Sequence, residues 1–152
     1  MEKLDELDLA ILKILQEDCK KNIGEISEIL RIPKSTVHYR INRLEKLGFI
    51  EGCYAKVNPE KLGKSLVAIT LVRAKYRPGY HEKVGDKIKE LPGVWAVYFV
   101  FGETDFVVLL RVEDVKELMR VIERMMNMEE IERTSTMIVA KVIKDDPKIQ
   151  IY

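Results

Sequence analysis

The sequence predicts an α+β chain of two domains, an N-terminal winged helix-turn-helix domain and a C-terminal ferredoxin-like βαββαβ sandwich. Two patterns and a break between them carry this. Apolar residues recur at helical spacing from residue 7 to 47, whereas from 66 to 143 four strongly apolar extended runs appear with helical segments between them. Turn-forming residues interrupt both patterns around Asn58-Pro59-Glu60-Lys61-Leu62-Gly63. The expected bounds are 1–57 for the first domain, 58–65 for a linker and 66–152 for the second.

In the first domain, Asp5 can cap a helix with the apolar stripe Leu7, Ile11, Ile14 and Leu15, ending near Lys20-Lys21. Asn22 with Glu25 resembles a capping box for a short second helix bearing Ile26, Ile29 and Leu30, which Pro33 stops. Ser35 is the expected cap of a third helix that packs Val37, Ile41, Leu44 and Leu47 and ends at Gly48. Phe49-Ile50 and residues 54–57 read as short extended pieces of a wing.

The second domain reads as strand 66–75, helix 80–91, strand 94–101, strand 106–112, helix 115–126 and strand 136–143. Pro78-Gly79 and Pro92-Gly93 bracket the first of these helices, and Asp114 with Glu117 starts the second. The strands are apolar on both faces, although two helices cover only one. The uncovered face calls for a second copy, giving an obligate homodimer; the competing cover is the first domain folded back over the sheet.

Composition excludes several classes. The 152 residues carry 26 Lys+Arg against 25 Asp+Glu and are 47% apolar, which excludes a disordered, collagen-like or disulfide-scaffold chain. The longest apolar run, residues 94–101, falls short of the roughly 18 to 20 residues of a membrane span, and the acidic start is unlike a signal peptide, so a cytoplasmic protein is expected. Cys19 and Cys53 lack metal-ligand spacing and read as buried structural thiols. A charged fraction of 34% with two Gln and four Asn leans toward a hot habitat. No phosphate loop, nucleophile elbow or zinc-protease motif occurs, and neither His38 nor His81 has a catalytic partner in sequence, so neither enzyme nor resident cofactor is expected.

Charge is distributed unevenly. Residues 2–18 hold six acids against two lysines, whereas 20–46 hold seven cations against three acids, and 34–44 hold Lys34, Arg40 and Arg43 with no acid. At 100° per residue, Ser35, His38, Tyr39, Asn42, Arg43 and Lys46 lie opposite the apolar stripe, flanked by Lys34, Thr36 and Arg40. A helix in the major groove needs base-edge donors and acceptors near its N-terminus and cations for phosphates. Lys34, Ser35, Thr36, His38, Tyr39, Arg40, Asn42 and Arg43 supply that set. The competing reading is a small ligand-binding or assembly protein whose basic helix meets a protein partner.

Taken together, Leu4-Asp5-Glu6-Leu7-Asp8, the run from Lys34-Ser35-Thr36-Val37 to Gly48-Phe49-Ile50, Pro59-Glu60-Lys61-Leu62-Gly63 and Gly102-Glu103-Thr104-Asp105-Phe106 resemble the Lrp/AsnC (feast/famine) regulators over essentially the whole chain. The resemblance implies a sequence-specific, double-stranded-DNA-binding dimer whose C-terminal domains pair sheet to sheet, assemble into tetramers or octamers and bind an amino-acid effector. It implies pseudo-palindromic promoter sites and an allosteric effector site at Gly102, Glu103, Thr104 and Asp105 with Thr134, Ser135 and Thr136. A glycine turn offers N–H groups to an α-carboxylate, Asp105 suits an α-ammonium, and the hydroxyls add neutral hydrogen bonds.

Overall fold

The computed structural model describes residues 3–152, so Glu2 of the acidic stretch lies outside the described residues. The chain forms two compact units, one running to Lys56 and including Asp145–Tyr152, the other Val57–Lys144. The last eight residues, expected in the second domain, therefore group with the first.

In the N-terminal unit, α1 (Glu6–Glu17) starts with a capping box in which the Asp5 carboxylate accepts from the Asp8 N–H at 2.9 Å and Asp8 accepts from the Asp5 N–H at 3.2 Å. Asn22 and Glu25 form the same reciprocal pair at the start of α2 (Ile23–Leu30). The turn to α3 (Lys34–Lys46) places Arg31 at φ 55, and the Ser27 hydroxyl donates to the Ile32 carbonyl at 2.5 Å.

The expected Ser35 cap is displaced: α3 begins at Lys34, with Pro33 as N-cap and no side-chain cap bond. Pro33 has φ −60, and its carbonyl already accepts from Thr36 and Val37 N–H, so the helix is under way before Ser35. At the other end Gly48, at φ 77, lets the Phe49 N–H return to the Leu44 carbonyl at 2.9 Å, a Schellman closure. Ile11, Ile26, Val37 and Leu44 are fully buried and form the core on which Leu7, Ile14, Leu15, Ile41 and Ile50 pack.

The expected wing strands do not form: residues 51–57 carry no strand and are exposed. A disulfide between Cys19 and Cys53, with Cα atoms 5.9 Å apart, ties this segment to the end of α1. The cysteines are thus neither free nor buried: Cys19 is half-buried and Cys53 exposed. Leu15 and Ile50 pack on one core and bring the two flanks together. The C-terminal tail adds to the same unit. The Gln16 side chain donates to the Ile149 carbonyl at 2.8 Å and accepts its N–H at 2.6 Å, and Lys148 pairs with Glu17 at 2.9 Å.

The second unit contains β1 (Leu66–Ala74), α4 (Tyr80–Lys89), β2 (Val94–Phe99), β3 (Phe106–Val112), α5 (Val115–Met126) and β4 (Ile131–Ile138). Its antiparallel sheet has the order β2-β3-β1-β4, a ferredoxin-like βαββαβ arrangement. β4 starts at Ile131 and ends at Ile138, not at 136 and 143 as expected. It is an edge strand, so charged Glu132 and Arg133 stand exposed on it and hide it from a search for apolar runs. The Asp114 cap forms, but Glu117 takes the Glu113 N–H at 2.6 Å, not that of Asp114.

Strand alternation divides the sheet. Ala68, Val72, Phe106, Val108, Leu110 and Val112 are buried against Val84, Ile88, Leu118, Val121 and Met125 of the two helices. The other face carries Val67, Ile69, Leu71, Val107 and Leu109, each partly exposed, with Trp95, Tyr98 and Met137 about half exposed at 48%, 54% and 49%. Arg111 lies 5.1 Å over the Trp95 ring on this face.

The disulfide closes a chain loop that contains α2 and α3, with cysteines 34 residues apart. Cross-linking a loop of that size stabilises by about 3–4 kcal/mol through the unfolded chain. Cys53→Ser should lower the thermal midpoint of the oxidised chain to that of the reduced wild type; equal midpoints for oxidised and reduced wild type would contradict this.

Candidate nucleic-acid interface and effector region

The outward face of α3 is built by periodicity. With Val37 and Leu44 buried, Lys34, Ser35, His38, Tyr39 and Asn42 are exposed, Thr36 is half-buried, and Tyr39 is 64% exposed. The Asn42 amide lies 3.3 Å from a His38 ring nitrogen, one helical turn away. Donors, acceptors and the Lys34 cation thus share the first two turns of the helix, the part that meets base edges in a major groove.

Arg40 and Arg43 sit differently from the other members of the expected set. Both are half-buried, and both turn toward α1. Arg40 donates to Asp5 at 2.5 Å and to Asp8 at 2.9 Å, while Arg43 donates to Asp8 at 3.1 Å. Asp8 is 1% exposed, the one charged side chain buried among the described residues. The Asp8 N–H and then the Arg40 guanidinium hold the Asp5 carboxyl below its usual range. Asp8 escaped sequence reasoning as more than one of several acids. The available signal was its place three residues before Ile11, on the apolar stripe of α1, where a carboxylate needs a partner.

In the second unit, Gly102 has φ +146 and is exposed, as is Glu103, while Thr104 and Asp105 are half-buried. Asp105 is tied internally: its carboxylate accepts from the Ala74 N–H at 2.7 Å and the Tyr80 hydroxyl at 3.0 Å, and its own N–H donates to the Val72 carbonyl at 2.9 Å. Burial and the Asp105 contact push the Tyr80 phenol up. Thr134 lies opposite Val72 on the other side of β1, so the turn and Thr134 flank the same central residue. Thr136 is opposite Thr70, with the two hydroxyls 2.9 Å apart on the helix side. Ser135, opposite Leu71, falls on the other face and does not join them.

Sequence reasoning did not find the cleft of about 390 Å³ between α4 and the edge strand β2, lined by His81, Gly85, Asp86, Trp95, Phe99 and Phe106. His81 stacks on Phe99 at 5.0 Å, which accounts for its position at the rim of the helix stripe. Among the described residues, no group of three or more His, Cys, Asp or Glu is placed to hold a metal ion, and no helix is long and apolar enough to cross a membrane.

A recognition-type helix on a three-helix unit, joined to a ferredoxin-like sandwich, defines a helix-turn-helix protein with an appended α+β domain. Comparison with known proteins agrees. Residues 4–51 match the winged helix-turn-helix DNA-binding family, and residues 67–149 match the Lrp/AsnC ligand binding domain. The chain is 37% identical over 148 residues to the HTH-type transcriptional regulator FL11 of Pyrococcus furiosus, covering 97% of each. An uncharacterized HTH-type transcriptional regulator of Pyrococcus horikoshii is 38% identical, over 93% of this chain and 89% of that one. In structure, a transcriptional regulator of Neisseria meningitidis solved as an L-Met complex superposes with TM-score 0.91 at 23% identity, covering 97% of each chain. Mycobacterium tuberculosis LrpA superposes with TM-score 0.83 at 25% identity, over 98% of this chain and 100% of that one. The chain belongs to the Lrp/AsnC family of DNA-binding transcriptional regulators.

Asp105→Ala would leave the Ala74 N–H without its acceptor and the Tyr80 hydroxyl without its carboxylate. The expected loss is about 1–3 kcal/mol of stability, measured by denaturant unfolding. An unchanged midpoint would show that the bonds are replaced by water.

Proposed function

We propose that the chain acts as a homodimer that presents two α3 helices to successive major grooves of a pseudo-palindromic promoter site and answers to an amino-acid effector. The observation that carries the DNA-reading part is the exposed, acid-free N-terminal face of α3, where Lys34, Ser35, His38, Tyr39 and Asn42 stand together. Lys34 supplies charge for phosphate, while Asn42, His38 and Ser35 supply edge-directed donors and acceptors. The partly exposed apolar sheet face of the second unit supports pairing with another copy, because a patch of this kind is seldom left to solvent.

The effector reading rests on the ligand-domain match and on the turn at residues 102–105. The solved Neisseria meningitidis protein holds L-Met, and the N–H groups of the glycine turn with the Thr104 and Thr134 hydroxyls have the chemistry to bind the same class of ligand. Effector binding would shift the populations of dimer, tetramer and octamer and thereby the affinity for DNA. Such a regulator works in the cytoplasm, with double-stranded DNA and an amino acid as its partners and no catalysis of its own.

A duplex selected from a random pool by the wild-type chain provides the probe. Its affinity, read by fluorescence anisotropy, should fall linearly with salt on a log-log plot, at roughly 0.9 per phosphate contact. Lys34→Ala should shrink that slope by about 0.9, whereas Asn42→Ala should keep the slope and cost about 1–3 kcal/mol on the selected duplex. A flat salt response by the wild type would favour a protein partner instead. For the effector, Gly102→Val should abolish any change in sedimentation produced by the twenty amino acids tested singly. An unaltered response would place the effector elsewhere.

A further inference from the structure

The face of α3 that sequence periodicity assigns to DNA contains two kinds of side chain. Lys34, His38, Tyr39 and Asn42 project into solvent, but Arg40 and Arg43 are drawn against α1, each 23% exposed and each bonded to a carboxylate. The acceptor they share, Asp8, is 1% exposed. Its two oxygens serve different donors. Oδ1 takes Arg40 at 2.9 Å, and Oδ2 takes Arg43 at 3.1 Å as well as the Asp5 N–H at 3.2 Å. Asp5 closes the ring by accepting Arg40 at 2.5 Å.

We propose that Asp8 is the positioning residue of the reading helix: with Asp5 it withdraws Arg40 and Arg43 from phosphate contact and uses them to fix how α3 presents Lys34, His38, Tyr39 and Asn42 to the groove. The proposal deepens the DNA-reading assignment above and rests on it.

Magnitudes decide where the arginines go. Removing the partners of a buried carboxylate costs on the order of 10² to 10³ in an equilibrium constant, because the charge is left without water or cation. One surface phosphate contact supplies, through counterion release, only about tenfold in affinity at 0.1 M salt relative to 1 M. Arg40 and Arg43 therefore remain with Asp8 when DNA arrives. Their attachment points lie one helical turn apart on α3, so a single carboxylate fixes the rotation of that helix about its own axis as well as its distance from α1. Rotation is what base reading demands, since a roll of 100° puts a neighbouring residue where His38 pointed.

Two variants of the full chain test this with the wild-type-selected duplex and a scrambled duplex of the same length. Arg40→Ala should weaken binding to the selected duplex about tenfold while leaving the salt slope at the wild-type value. If Arg40 is itself a phosphate contact, the slope falls by about 0.9, and the assignment is overturned. Asp8→Asn keeps shape but removes charge. It should steepen the slope by about 0.9 to 1.8 as the guanidiniums turn to phosphate, raise affinity for the scrambled duplex, and cut the selected-to-scrambled ratio by about tenfold. A folded Asp8→Asn chain with wild-type slope and ratio would also overturn the proposal. If Asp8→Asn does not fold, as judged by circular dichroism, the Arg40→Ala slope decides alone. A wild-type chain that binds no duplex at low salt would sink the DNA-reading assignment itself and this proposal with it, an outcome distinct from a binding chain with an altered Arg40→Ala slope.

Discussion

A single buried negative charge organises the DNA-binding unit. Asp8 stands on the stripe of α1 that otherwise packs apolar side chains, and a carboxylate there is tolerable only with cations and N–H groups around it. Arg40 and Arg43 provide the cations, so the third helix is attached to the first by directed bonds as well as by Val37 and Leu44. Hydrophobic contact has no preferred orientation, and a core of four fully buried residues leaves a short helix some latitude to roll. Two guanidiniums on one carboxylate remove that latitude. The exposed members of α3 owe their common direction to a contact at the flank of the face they share.

The second unit is governed by strand alternation instead. One face of the sheet is filled by α4 and α5, while the other carries branched apolar residues with Arg111 and Trp95 among them. The turn at residues 102–105 is fastened to this frame through Asp105, whose two oxygens join the end of β1 to Tyr80 of α4. A glycine at φ +146 follows exposed Phe101 in that turn, so a rigid anchor and a conformationally special residue lie within four positions.

Much of this was legible in the sequence where the determining forces are local. The capping pairs Asp5/Asp8 and Asn22/Glu25 are three residues apart, and both helices begin where those pairs place them. Pro-Gly pairs and apolar periodicity likewise set the order of the sandwich. Misreadings arose where a partner is remote or a rule is overridden. The Cys19–Cys53 bond spans 34 residues and leaves no local trace. Pro33 pre-empted the Ser35 cap through its own carbonyl. β4 is an edge strand with polar exposed positions, so its start was invisible to a search for apolar runs. Within the candidate site, the exposed residues of α3 followed from periodicity. The engagement of Arg40 and Arg43 did not, because it depends on an acid more than thirty residues earlier.

In the proposed complex, nucleic acid lies against the exposed first turns of α3. Hydroxyl-radical footprinting of the protein, read by mass spectrometry with and without a saturating selected duplex, reports on it at single side chains, and His38 and the 64%-exposed Tyr39 are good reporters. Both should be oxidised several-fold more slowly in the complex, while Tyr76 in the second unit keeps its rate. Unchanged oxidation of His38 and Tyr39 in a chain shown to be bound would contradict the account.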